Sequence, residues 1–307
     1  MNAVSRPTSN QNCLLETSPG IYLDHGTTGV SAAGTRVIAA NIDFYRQVAG
    51  KYDRYEPYLF DPNLQQSLEN DLDKVGSYFV SLGRAPSCLE CGGGTGNLTL
   101  KMCARGWTVT VVDVSDEMLA LLKEKARAKG YSPTLIRSSI ERFLVARSET
   151  FDLVAFSAVL HHLHSYMSVV KQAISRVRPG GLFYSNHDPV VPERPGWTWA
   201  FDSMDITVAK LMLDPADVLP GVRRRLRKMI SPKDSSLSRR VVSAGDIAEY
   251  HVRTGVNDEQ IIQLLRKSEF AIVEHLRYVT GRTRAIRFLN ERLRLLESFK
   301  IIARRES

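Results

Sequence analysis

The sequence predicts an α/β fold, a mostly parallel sheet with helices on both faces. Three observations carry this. From Ser87 onward, short runs rich in β-branched residues alternate with helical stretches. Runs such as Trp107–Asp113 are nearly continuous in apolar and β-branched residues, as strands covered on both faces are. The first run turns into a helix through Cys91-Gly92-Gly93-Gly94-Thr95-Gly96, and such a turn forms a nucleotide-type cleft at the carboxyl edge of a sheet.

The elements follow in order. Residues 1–35 mix Ser, Thr, Asn, Gly and Pro with little periodicity. They predict a loose leader, ordered in part where Ile21-Tyr22-Leu23 packs. A helical stretch starts at Thr35. A second covers Asn63–Leu82, with Leu64, Leu68, Leu72, Val75 and Phe79 at helical spacing. Ser87–Cys91 is a strand, Gly96–Ala104 a helix, and Trp107–Asp113 a buried strand. Ser115 caps the next helix, with Asp116 and Glu117 in its first turn. Thr134–Arg137 and Phe151–Ala158 are further strands. A helix over Tyr166–Val177 stops at Pro179-Gly180-Gly181, and Leu182–Asn186 is the fifth strand. Residues 189–243 hold prolines, two tryptophans and a basic cluster, and read as a helical insertion. Asp258–Lys267 then returns to helix, and Ala271–Val279 and Ser298–Arg304 to strand. The expected organisation is a leader (1–35) and one domain (36–307) that carries 189–243 as a lid.

Composition narrows the function. Hydrophobic residues make up 43% and charged residues 24%, ordinary for a globular domain. The first residues lack an apolar signal core, and no run approaches the roughly 20 apolar residues of a membrane span. The expectation is a cytoplasmic protein. Cys88 and Cys91 form a CxxC, but no second pair completes a zinc site, and on a strand they point to opposite faces. They read as core thiols. Net charge is +8, concentrated in Arg223, Arg224, Arg225, Arg227, Lys228, Lys233, Arg239 and Arg240, with Asp234 alone opposing. Such a cluster fits an anionic partner or a solvated helix face.

The glycine turn is the strongest local signal. Gly92, Gly94 and Gly96 form G-x-G-x-G, and a dinucleotide fingerprint needs a further glycine or alanine at Asn97 or Thr99. Its absence argues against a nicotinamide oxidoreductase. Asp113 ends the second strand about 20 residues past the glycines, where a carboxylate accepts both hydroxyls of a ribose.

With these motifs in order, the chain resembles the class I S-adenosylmethionine (SAM)-dependent methyltransferases, small-molecule enzymes of the quinone-biosynthesis type among them. Leu89-Glu90-Cys91-Gly92-Gly93-Gly94-Thr95-Gly96 resembles the family's first motif and Val111-Val112-Asp113-Val114-Ser115 its second. Phe151 to Leu163 resembles the fourth-strand motif, and Arg178-Pro179-Gly180-Gly181 the turn before strand five. The resemblance implies a Rossmann-like seven-stranded sheet with an N-terminal helical cover. It implies that Glu90 sits near the methionine amino group and that Gly92, Gly94 and Gly96 line methionine and ribose. Asp113 would bind the ribose, Val114 would pack on adenine, and Ser139 and Ile140 would border it. Ser139 stands where many relatives carry an acidic residue. Ser157 and Val159 would face the sulfonium, and Tyr52 would close over the cofactor.

If the acceptor is a hydroxyl, a general base is useful. His161 and His187 are the candidates, at the ends of strands four and five. His161, His162 and His164 resemble a metal cluster, but adjacent side chains diverge, and no metal is expected. The favoured function is methylation of a small molecule, a hydroxyl or activated carbon of an amphipathic metabolite. Trp197, Trp199, Phe201, Met204 and Met212 of the lid either line its pocket or pack the insertion. An RNA methyltransferase using the basic segment is the alternative, though Ser157-Ala158-Val159-Leu160 lacks the Asn-Pro-Pro-Tyr type of motif. A non-catalytic SAM-binding protein is the third reading.

Overall fold

The computed structural model describes residues 15–18, 21–23, 30–52, 62–191, 251, 254–280 and 284–306. The expected insertion beyond Val191 and the Arg223–Arg240 cluster lie outside them. Strands β1 (Leu15–Ser18) and β2 (Ile21–Leu23) precede helices α1 (Ala32–Val48) and α2 (Pro62–Ser81). The alternating body is β3 (Ser87–Cys91), α3 (Asn97–Ala104), β4 (Thr108–Asp113), α4 (Asp116–Ala128), β5 (Thr134–Arg137), α5 (Ile140–Ala146), β6 (Phe151–Ser157), α6 (Tyr166–Ile174) and β7 (Val177–Pro189). It closes with α7 (Asp258–Lys267), β8 (Phe270–Tyr278), α8 (Arg284–Arg292) and β9 (Ser298–Arg305).

All nine strands form one sheet, in the order β1-β2-β5-β4-β3-β6-β7-β9-β8. Pairing is parallel from β2 to β7 and antiparallel for β1 on β2, β7 on β9 and β8 on β9. Seven of the strands are the sheet that the alternation predicts. The other two come from the leader. Ile21–Leu23 pairs in parallel with Leu135–Arg137 and carries β1 as the outermost strand. The second difference lies at β7, which starts at Val177 and runs through Pro179-Gly180-Gly181 rather than after them. Val177 pairs with Phe151, the register shifts, and Leu182 resumes opposite Leu153. Those residues are a bulge within the strand, not the turn before it.

The core lies on both faces of the sheet. Cys91, Val112, Phe156 and Phe183 belong to one cluster, and Cys88, Val111, Phe79 and Leu72 to the other. Cys88 and Cys91 thus fall on opposite faces, and burial pushes both thiols up. Burial of each Phe or Leu contributes about 1.5–3 kcal/mol. Polar side chains pin the helices to this sheet. Lys300 on β9 meets Asp71 of α2 at 2.5 Å and Glu274 of β8 at 2.8 Å, and Tyr184 donates to Asp71 at 3.1 Å. At the amino edge, Asp152 binds Arg84, Ser87 and Arg178, and those donors overcome burial to hold it down at about 2. No helix among the described residues is long and apolar enough to cross a membrane.

Candidate active site

A cleft opens at the carboxyl edge of the sheet, where the strand order reverses. β4 lies on one side of β3 and β6 on the other, so the loops that leave them part and a crevice forms between. It is partly open to solvent and is lined by residues of the glycine turn, of the loops that follow the strands and of helix α1.

The glycine turn forms the floor. Gly92 has φ +77°, and a Cβ there would stand 2.3 Å from Cγ2 of Val159. Gly96, the N-cap of α3, has φ +92°, and its Cβ would stand 2.2 Å from Cδ1 of Leu122. Each position needs glycine twice over, for its conformation and for the neighbour that packs on it. Gly92, Gly93 and Gly94 line the cleft, and Gly96 holds the turn from behind.

Two carboxylates flank the turn. Glu90 is buried beside it, and the Thr99 hydroxyl donates a short hydrogen bond to its Oε2. Burial raises its pKa to about 8, with Asp113 adding to the rise and Thr99 opposing it. Asp113 accepts the Gly94 N–H on Oδ2 and the Ser115 N–H on Oδ1, each at 2.9 Å. Burial raises its pKa while those backbone donors oppose the shift. The helix cap is Ser115, whose Oγ accepts from the Met118 N–H at 3.2 Å. Asp113 thereby ties the glycine turn to the start of α4. Each of its oxygens has capacity for a second hydrogen bond.

Val114, Met118, Ile140 and Glu141 form one wall. Ser139, expected beside Ile140, is not a lining residue. It is the N-cap of α5, and its hydroxyl accepts the Arg142 N–H at 3.2 Å. The acidic side chain of this wall comes two residues later. Glu141 is buried, burial raises its pKa, and its Oε2 has no hydrogen-bond partner among the described residues. The reading from sequence missed it, although a carboxylate in the same segment was the available signal.

The opposite wall follows β6. Ser157, Ala158, Val159, His162 and Leu163 face the cleft. His161 does not. Asp188 Oδ1 accepts its backbone N–H at 3.0 Å and meets Nδ1 at 2.8 Å. The imidazole is buried, and burial depresses its pKa to about 3. His187 also lies outside the lining. Tyr278 Oη meets its backbone N–H at 3.1 Å and Nδ1 at 2.8 Å, and burial depresses its pKa to about 4. It has φ +63°. The structure therefore brings neither expected base to the cleft and puts His162 there instead. The three histidines take separate hydrogen-bond partners, His161 meeting Asp188, His162 meeting Tyr45 and His164 meeting Ser165, but the rings of His161 and His162 do not diverge as expected and lie 3.9 Å apart.

Helix α1 and the single turn after it (Ala49–Lys51) cover the cleft with Val37, Ile38, Asn41, Tyr45 and Tyr52. The Tyr45 hydroxyl lies 2.8 Å from Nε2 of His162, and Asn41 donates to the His162 carbonyl at 3.3 Å. Arg46 reaches Glu117 on the other rim at 3.2 Å. Tyr52 is at the cleft as expected, its ring 5.9 Å from that of Tyr45. Asn41 and Tyr45 stand four apart on one helix face, a spacing that the sequence contained and that pointed to no partner without the fold.

Residues 89–185 match the family described as a methyltransferase domain. The tRNA 5-carboxymethoxyuridine methyltransferase of Escherichia coli (strain K12) is 33% identical over 151 residues, 47% of this chain and 57% of that protein. The ubiquinone biosynthesis O-methyltransferase of Vibrio parahaemolyticus serotype O3:K6 is 34% identical over 115 residues, 37% of this chain and 47% of that protein. The chain spans about half the length of the curated relatives it matches. Among solved structures, the N-methyltransferase NodS from Bradyrhizobium japonicum WM9, in complex with S-adenosyl-L-homocysteine (SAH), superposes with a TM-score of 0.51 at 16% identity. That match covers 87% of this chain and 100% of that one. The plantazolicin methyltransferase BamL, in complex with a triazolic desmethylPZN analogue and SAH, gives 0.50 at 12% identity, over 88% and 97%. These likenesses establish a shared fold.

Proposed function

We propose that this chain, whose residues 89–185 match the methyltransferase-domain family, transfers a methyl group from SAM to a small-molecule acceptor. The observation that carries the reading is the pair of carboxylates on the glycine turn. Glu90 and Asp113 offer buried acceptors to an ammonium and a ribose, and among the described residues neither is paired with a cationic side chain. Glu141 adds an unpartnered oxygen on the wall where an adenine amino group donates. The cleft thus fits SAM by the chemistry of its donors and acceptors.

In this reading, SAM supplies an electrophilic methyl on a sulfonium. Asp113 holds the ribose and the turn at once, so cofactor binding and turn geometry are coupled. Gly92 lets the backbone and Val159 approach each other, and Ser157 and Val159 border the reacting end. Tyr45, Tyr52 and Ile38 on the cover exclude water and hold the acceptor in line, and positioning of this kind supplies much of a methyl transfer's rate. We propose further that the segment 189–243 acts as an acceptor lid within the domain 36–307, and that the protein works in the cytoplasm. The acceptor proposed is a hydroxyl or activated carbon of an amphipathic metabolite. The tRNA-modifying relative and the Arg223–Arg240 cluster make RNA the competing acceptor.

The test pairs calorimetry with product identification. SAM and SAH bind the purified protein at micromolar levels and NAD does not. Labelled methyl from SAM then enters a small molecule of a metabolite extract, identified by mass spectrometry. Label that enters RNA instead selects the alternative, and NAD binding without SAM binding overturns the reading.

A further inference from the structure

One group at the cleft wall with proton chemistry is His162, and it does not stand alone. Its Nε2 lies 2.8 Å from the Tyr45 hydroxyl, and both side chains line the cleft. The ring also packs against that of His161, with centroids 3.9 Å apart and planes tilted by 43°. His161 is fixed in turn by two contacts to Asp188. Asp188 is buried, and a positive charge on His162 favours its ionised form. By reciprocity, a carboxylate at Asp188 favours a protonated His162. A second anchor, from Asn41 to the His162 carbonyl, fixes the backbone of the same residue.

We propose that Tyr45 and His162 form a proton relay for a hydroxyl acceptor, with His161 and Asp188 as positioning residues behind it. This rests on the methyltransferase reading above. As the acceptor oxygen–methyl bond forms, the methyl–sulfur bond breaks and its electron pair stays on sulfur, which leaves as a neutral thioether. The acceptor proton passes to the Tyr45 oxygen, and the Tyr45 proton passes to Nε2 of His162. The imidazolium is neutralised at a distance by Asp188, and one proton is returned to solvent after turnover. The relay needs one tautomer: Nε2 of neutral His162 must be the acceptor, with the Tyr45 hydroxyl donating to it. Hydroxyl acceptors are therefore the class served, since an acceptor that arrives ionised has no proton to give.

Nitrogen-15 imidazole spectra of the SAH-saturated protein test the tautomer without any acceptor. The expected result is an unprotonated Nε2 at His162 near neutral pH, and a shift of that resonance in Tyr45→Phe. A protonated Nε2 that donates to Tyr45 overturns the relay. In a second arm, labelled methyl transfer from SAM to a metabolite extract is measured for His162→Gln and Tyr45→Phe. Transfer to hydroxyl products falls at least about 100-fold, the scale of a lost general base, while SAH affinity stays within about twofold. Equal rates in folded Tyr45→Phe and wild type overturn the relay and leave the methyltransferase reading standing. Absence of SAM and SAH binding to wild type removes that reading first, and the calorimetry alone shows it.

Discussion

The Asp188 carboxylate receives His161 twice, at the backbone N–H and at Nδ1, and this pair of contacts decides which of two adjacent histidines faces the cleft. In Asp188→Ala both donors lose their acceptor inside the protein. Each unsatisfied buried donor costs about 1–3 kcal/mol, so urea unfolding should show a loss of at least about 2 kcal/mol. An unchanged midpoint would refute the anchoring role.

The same pair sets a pH dependence with opposed signs. His161 is depressed to about 3, so its contribution is complete above its unfolded value of ~6.5 and fades as pH falls toward 3. Asp188 is raised to about 7, so its contribution is complete below ~4 and is lost as pH rises through 7. Asp188→Asn removes the second effect and keeps an oxygen acceptor. Its stability should rise from pH 3 to 6.5 and level off above. A continued fall through pH 7 in this variant would assign the alkaline limb to another group.

Glu90 predicts how cofactor affinity moves with pH. Its pKa is raised to about 8, so near neutrality the free protein keeps it largely protonated. A ligand ammonium binds the ionised form, and SAM binding must release that proton. Affinity should rise between pH 6 and 8, by up to about tenfold per unit, and calorimetry in buffers of different ionisation heat should register the proton. Glu90→Gln should flatten the profile. If the slope survives in that variant, the proton comes from elsewhere.

Asp113→Ala should weaken SAM binding at least about tenfold, since a hydrogen bond to a charged acceptor contributes about 1.5–3 kcal/mol. It should also lower the melting temperature, because the Gly94 and Ser115 N–H groups lose their acceptor. The two effects separate with Ser115→Ala, which removes the cap of α4 and leaves the carboxylate in place. Full SAM affinity in a folded Asp113→Ala protein counts against the ribose role.

Gly92→Ala carries two costs, the positive φ and the clash with Val159. Strain of this kind costs about 1–3 kcal/mol. Combination with Val159→Ala relieves the clash and not the backbone, so the double variant should recover part of the lost stability. A strictly additive pair would mean that Val159 does not press on the turn.

The strand–helix body was legible because buried parallel strands leave long β-branched runs such as Thr108–Asp113. The β1–β2 hairpin was not, since four and three residues leave no period to read. Pro179-Gly180-Gly181 looked like a turn because its residues are turn formers, yet a bulge uses the same chemistry inside a strand. At the site, Asp113 and the glycines stood out by their spacing, and Glu90 only through the resemblance of its motif. The choice between His161 and His162, and between Ser139 and Glu141, was not. Those pairs sit on a 3-10 turn and at a helix start, where a contact from a distant element, Asp188, or a local cap settles which side chain turns inward.

The sheet order has a consequence for synthesis. β9 sits between β7 and β8, and among the described residues β8 pairs with no other strand. While the polypeptide emerges, β7 waits with an open edge and β8 has nothing to join until Ser298–Arg305 arrives. The ligand-binding half can assemble early, but the sheet stays unfinished until those eight residues are made. A nascent or clipped chain that stops short of them presents two unpaired β edges, the feature that invites aggregation.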